Sequence, residues 1–210
     1  MKKILFLFAP SLIFLSLLSS TKTYSLFSDT AISSNNTFTA AEEFPNNHLV
    51  INEVMFNPDN PFCTGGEPAS EWVEIYNPTS TTVNLDGWTI HDNTNSDVLP
   101  NVSLNSGSFA IIANCSQSEF TGIWNFPPGT LYIDLGSAIG SGLANGGDEV
   151  RLDDNNELTV DHVSYGSNIN AFNPSVSAPI TNHTIERNPI GFDTNSAGDF
   201  VDRNPPTPGS

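Results

Sequence analysis

Apolar and polar residues alternate in short runs along most of this chain, and each run ends at a turn-forming residue. Residues 48–55 (HLVINEVM) alternate and stop at Asn57-Pro58, and residues 71–76 (EWVEIY) alternate and stop at Asn77-Pro78. A period of two is the signature of a half-buried strand. Further runs at 83–91, 98–104, 108–113, 130–135, 149–152 and 158–165 are separated by Gly87, Asn-Ser-Gly, Asn-Gly-Gly and Asp-Asp-Asn-Asn segments. These are turn formers with positive-φ tolerance or Asx side chains. No stretch keeps a 3.6-residue period over three turns. Many short strands at regular spacing predict an all-β fold, and the spacing favours an immunoglobulin-like β-sandwich.

The ends differ from the body. Lys2 and Lys3 precede an apolar run over 4–18, followed by small and polar residues from Ser19. This is the layout of a secretory signal, and the run is short of the roughly 20 residues a membrane span needs. The expected organisation is a signal peptide over 1–26, a polar leader over 27–47 and one β-sandwich domain over 48–210. No stable membrane span remains after processing. Attachment, if any, is expected to be non-covalent.

Charge narrows the partners. The chain has 6 Lys and Arg against 23 Asp and Glu, a formal charge of −17. Loss of Lys2, Lys3 and Lys22 with the signal leaves three arginines against 23 carboxylates, or −20. Such a surface repels phosphate backbones, so nucleic acid is excluded as a partner.

The order of local blocks carries a resemblance. Ile51-Asn52-Glu53-Val54, then Glu71-Trp72-Val73-Glu74-Ile75-Tyr76-Asn77-Pro78, then Asp86-Gly87-Trp88-Thr89-Ile90 resemble the opening of the lamin-tail domain in its prokaryotic secreted form. Later blocks follow in the same order: Asn145-Gly146-Gly147-Asp148-Glu149-Val150, Val160-Asp161-His162-Val163, Ile185-Glu186-Arg187, and the closing Asp202-Arg203-Asn204-Pro205-Pro206. The resemblance implies an immunoglobulin-like sandwich. The coiled-coil rod of nuclear lamins has no counterpart here, so filament assembly does not transfer. Residues 24–40, including Tyr24-Ser25-Leu26-Phe27-Ser28-Asp29, are similar to the processing region of biofilm-fibre and camelysin-type secreted proteins. That similarity implies a prokaryotic exported protein and carries no peptidase chemistry with it.

Candidate chemistry is sparse. There is no Gly-x-Ser-x-Gly, no His-Glu-x-x-His and no phosphate loop. His91 and His162 fall at strand ends, where a hydrogen-bonded histidine is expected rather than a zinc ligand. Glu71 and Glu74 lie three apart on one strand and so face opposite sides; Glu71 is expected at solvent or capping a loop. Trp72 and Trp88 are expected in the core, while Trp124, in an irregular segment, is the aromatic to present to a ligand. Asn93, Asn95 and Asp97 alternate oxygen-bearing side chains in a way that suits calcium, the one cofactor the sequence suggests. Asp153, Asn155 and Glu157 do the same, where a hairpin turn is preferred. Asn35, Asn101, Asn114 and Asn182 head glycosylation sequons.

Cys63 and Cys115 are the only cysteines. In an exported chain they are expected to pair, because alternating strand directions bring the end of the first strand and the end of the fifth to one edge of the sandwich. The expected function is a secreted, non-catalytic module contacting an extracellular protein or polysaccharide at or near the cell surface. The alternative is a secreted hydrolase or an accessory module of one, since lamin-tail modules are often fused to extracellular hydrolases.

Overall fold

A computed structural model describes residues 47–59 and 63–210. The expected signal peptide and almost all of the leader lie outside the described residues. Among the described residues twelve strands form: β1 (Val50–Met55), β2 (Trp72–Tyr76), β3 (Val83–Asn84), β4 (Thr89–His91), β5 (Ser96–Val98), β6 (Ser103–Leu104), β7 (Phe109–Ala113), β8 (Leu131–Asp134), β9 (Glu149–Asp153), β10 (Thr159–Ser164), β11 (Thr184–Arg187) and β12 (Phe200–Arg203). One short helix, α1 (Gln117–Phe120), is closed by a Ser116/Glu119 capping box.

The strands make a six-stranded sheet in the order β12-β11-β1-β2-β7-β8 and a four-stranded sheet in the order β10-β9-β4-β5. A two-stranded β3-β6 pair completes the set. All ladders are antiparallel except β7 with β8. The chain is an all-β, immunoglobulin-like sandwich. Its main core lies between the sheets: Ile51, Val54, Val73, Ile75, Ile112 and Ile185 from one side meet Ile90, Val150, Leu152 and Val163 from the other. Phe56 stacks on Tyr165 with ring centroids 3.9 Å apart.

Two expected strands are each divided. The run 83–91 becomes β3 and β4, because Gly87 turns the chain at φ +76°, a conformation that costs glycine nothing. The run 98–104 becomes β5 and β6, parted at Pro100, which has no N–H to give a ladder. β11 and β12 are strands that two-residue alternation does not mark. TIER buries Glu186 and Arg187 along with its apolar residue, which hides any alternation, and FVDR is a short edge strand with only Phe200 buried.

β1 also departs from its pattern: all six of its residues are buried. Its second face does not meet water, because the outer side of the six-stranded sheet is itself covered. At one end Met55, Trp72 and Ala113 pack with Ile111, Phe120 and the two cysteines in a second apolar cluster. In the middle, Glu53, Glu74 and Glu186 lie under the segment 204–210.

The two sheets are tied by Arg187 of β11, whose side chain is fully buried. Its Nη2 donates to both oxygens of Asp161 on β10 at 2.9 and 2.8 Å, and its Nε donates to the Ile51 carbonyl on β1 at 2.8 Å. Nη1 reaches the Phe192 carbonyl, Asp193 and Asp199 in the loop before β12, and the guanidinium lies 4.5 Å from the Phe200 ring centroid. Burial alone would raise the Asp193 pKa, yet the hydrogen bond with His48 and the Arg187 charge hold it at about 2.

Cys63 and Cys115 form a disulfide with Cα atoms 5.6 Å apart. β1 and β7 flank β2 and run in the same direction, so the loops that follow them emerge at one edge. The extra strands between them leave that parity unchanged.

Two stability predictions follow from these ties. Arg187→Met should cost about 3–5 kcal/mol in denaturant unfolding, since three buried aspartates lose their shared cation. Reducing Cys63–Cys115, which closes a separation of 52 residues, should lower stability by about 4 kcal/mol on the chain-entropy model. A midpoint in urea that is unchanged by reductant would contradict the second.

Candidate functional site

The outer face of the four-stranded sheet carries an interlocked polar set. Strand periodicity aligns Glu149, Arg151 and Asp153 on one face of β9, and register sets His91 and His162 on either side of Arg151 and Thr89 beside Asp153. Arg151 Nε donates to Asp153 at 3.1 Å, and its Nη2 donates to His91 Nδ1 at 3.1 Å. His91 Nε2 lies 2.8 Å from Thr89 Oγ1 and 3.1 Å from Asp153 Oδ2. Burial and then the Arg151 charge lower the His91 pKa, so at neutral pH it is an uncharged ring with both nitrogens engaged. Asn170 Nδ2 donates to Glu149 Oε2 at 2.5 Å.

Beside this set opens a polar cleft of about 340 Å³, lined by His91, Asp92, Asn93, Asn95, Glu149 and Arg151 among others. Its rim, residues 92–96, is shaped by carboxylates that capture backbone amides. Asp92 accepts the N–H groups of Thr94 (2.7 Å), Asn95 (2.6 Å) and Ser141 (2.7 Å). Burial opposes its charge, but bonds from Ser141, Asn95 and Thr94 outweigh burial and hold its pKa below the usual range. Asp148 accepts the amides of Asn93, Ala144 and Glu149. Gly140 packs on Asp92 so closely that an added Cβ would sit 2.3 Å from the carboxyl carbon.

The expected calcium ligands separate across this region. Asn93 and Asn95 are exposed on the cleft rim. Asp97 turns the other way, accepting the Gly140 amide at 2.6 Å and the Ser137 hydroxyl at 2.8 Å. Among the described residues, no group of three or more His, Cys, Asp or Glu side chains is placed to hold a metal ion. Trp124 is partly buried against the second cluster, edge-on to Trp72 with centroids 6.5 Å apart. Asp153 closes β9, and Asn155 and Glu157 lie in the turn 154–158 between β9 and β10.

Glu71 takes the second of its two expected places, as the cap of a loop. It does not face solvent: it is 2% exposed and accepts the Leu143 amide at 2.8 Å, so it caps the loop from beneath the surface. Burial pushes its pKa up to about 8, with Glu67, Asp148 and Asp92 adding repulsion. Glu74 turns to the opposite side and bonds Asn52 and Gly209. The alternation of 71–76 separates the two glutamates correctly, but it carries no sign of the loop that covers the first.

This pairing of short strands with carboxylate-tied loops coincides with a family match: the model described as Lamin Tail Domain aligns with residues 42–167, more than half of the chain. The chain belongs to the lamin tail domain family. No curated protein matches it. The match takes in β1 to β10 and ends at the turn after β10, so in this lamin-tail chain β11 and β12 complete the six-stranded sheet from outside the matched stretch.

A raised carboxyl pKa means that the folded protein holds a proton the unfolded chain releases. The stability this contributes is full below pH 4.5, the ordinary value for glutamate, and is lost as pH rises through about 8. Glu71→Gln keeps an acceptor for Leu143 and removes the charge. It should therefore stabilise the protein by about 2–4 kcal/mol at pH 9 and change little at pH 5, as read by urea midpoints. A variant less stable than the parent at pH 9 would show that Glu71 is needed as an anion.

Proposed function

We propose that this lamin-tail chain is exported, loses residues 1–26, and works outside a prokaryotic cell as a non-catalytic module of 48–210 that contacts a neutral polysaccharide of the matrix or cell surface. The observation that carries the reading is the polar cleft beside β4 and β9. The exposed side-chain amides of Asn93 and Asn95 and the hydroxyls of Thr94 and Ser96 line it, and such groups recognise hydroxyl-rich ligands by hydrogen bonding. Two further features support it. The Cys63–Cys115 disulfide suits an oxidising exterior. Both nitrogens of His91 and the head group of Arg151 are committed to structural bonds, which suits binding better than proton transfer. The charge of the chain argues for a neutral polymer over an anionic one.

Depletion assays with secreted protein on insoluble neutral polysaccharides and on isolated cell walls test this. Retention is expected, and Asn93→Ala combined with Asn95→Ala on the exposed rim should weaken it about tenfold, the equivalent of roughly 1.4 kcal/mol. Absence of retention on every neutral polymer defeats the reading. Release of soluble sugar would replace it with a hydrolytic one.

A further inference from the structure

Three glutamates lie side by side on the outer face of the six-stranded sheet. Register sets Glu53 of β1 opposite Glu186 of β11 on one side and opposite Glu74 of β2 on the other. None of the three is more than 1% exposed. Like charges directly opposite one another in a ladder repel. The cation bonded to this row is Arg203 of β12, whose Nε donates to Glu186. Next across the sheet come Ile111 of β7 and Tyr132 of β8. The Tyr132 phenol is held far above its usual value by burial, then by Asp134 and Glu119, so it brings no charge to the row.

The roof over the row is the segment 204–210. Pro205, Pro206 and Pro208 have no N–H, and the residues between them turn their donors onto the carboxylates. Thr207 N–H donates to Glu53 Oε1 at 3.0 Å, Thr207 Oγ1 donates to Glu186 Oε1 at 3.1 Å, and Gly209 N–H donates to Glu74 Oε2. From the sheet, Thr184 Oγ1 donates to Glu53 Oε1 at 2.5 Å and Asn52 Nδ2 donates to Glu74 Oε1 at 2.9 Å. Gly209 is wedged against the uncharged residues Phe126, Pro127 and Thr130: at φ +84°, an added Cβ would lie 2.7 Å from Thr130 Oγ1.

One atom in the row is not satisfied. Glu53 Oε2 is buried with no hydrogen-bond partner. A buried carboxylate oxygen without a donor carries a full desolvation penalty, which a bound proton removes by making the group neutral and able to donate. The row therefore needs protons to remain under its roof.

We propose that Glu53 and Glu74, beside the Glu186–Arg203 ion pair, form with the segment 204–210 a proton-gated latch: the segment stays seated while these two glutamates hold protons, and lifts when they lose them, baring an acidic stripe of sheet. Burial pushes Glu53 up to about 7 and Glu74 up to about 8 while the latch is closed. Once uncovered, both return towards the ordinary value of 4.5. Closure is thus favoured fully below that value and is lost as pH rises through 7 to 8. The latch does not depend on what the cleft binds.

Quenched-flow hydrogen exchange of the mature protein, disulfide intact, tests the proposal. After Asn204 the prolines leave Thr207, Gly209 and Ser210 as the reporting amides of the segment. Relative to the intrinsic rate at each pH, their protection should fall at least tenfold between pH 6 and pH 9, while peptides covering β1, β2 and β7 keep theirs. In the double variant Glu53→Gln/Glu74→Gln, which fills the same space without charge, protection at pH 9 should stay within twofold of its pH 6 value. Arg203→Gln supplies the opposite arm: without its cation, the row should release the tail at a lower pH than in the parent. Equal protection at both pH values in the parent, or loss across all strands together, would overturn the latch. The first would show that the tail ignores the charge of the row, and the second that the opening is global unfolding.

Discussion

The two sheets of this sandwich are joined through one buried guanidinium. Arg187 belongs to the six-stranded sheet and directs Nη2 to both oxygens of Asp161 on the other sheet, while Nε holds the Ile51 carbonyl and Nη1 orders the loop that leads into β12. Asp161 in turn accepts the Ile51 amide at 2.6 Å, beside the bulge in β1. Burying one cation among three aspartates is costly, and it is tolerated because nearly every lone pair and every N–H around it finds a partner. The arrangement specifies how the sheets sit on each other more sharply than apolar packing alone would, since an apolar contact has no preferred direction.

A second constraint comes from the scarcity of cations. With three arginines in the described residues, most buried carboxylates cannot have an ion-pair partner, and they are satisfied by backbone amides instead. Asp92, Asp97, Asp148 and Glu71 together hold the loop 137–148 against the loop 92–97. Asp199 does the same for Thr194 and Ser196. Where amides suffice, as at Asp92, the charged form is favoured. Where they do not, as at Glu71 and Glu74, burial wins and the group holds its proton. The same residue types therefore serve opposite ends of the pH scale according to how many donors surround them.

The exterior that remains polar and open is the cleft at the four-stranded sheet, whose groups are held from behind by the same amide-capturing loops. Its shape depends on Gly140 and Asp92, two residues 48 positions apart in sequence that touch in the fold. No local motif announces that contact, because each residue is used for the other and not for a neighbour along the chain.

Much of the architecture was legible without coordinates. Alternation marked β1, β2, β7, β9 and β10, the turn residues bounded them, and strand parity paired Cys63 with Cys115, because a two-residue period and a reversal at each turn are properties of the chain itself. β11 and β12 were not legible as strands: β11 buries Glu186 and Arg187 as well as Ile185, and periodicity counts such charged residues as solvent-facing, while β12 is a four-residue edge strand with Phe200 alone buried. Nor was the burial of Glu53, Glu71 and Glu74. A strand pattern says which side chains share a face, but whether that face meets water, a loop or the segment 204–210 is decided by residues 72 to 154 positions away, and only the tertiary structure brings those together.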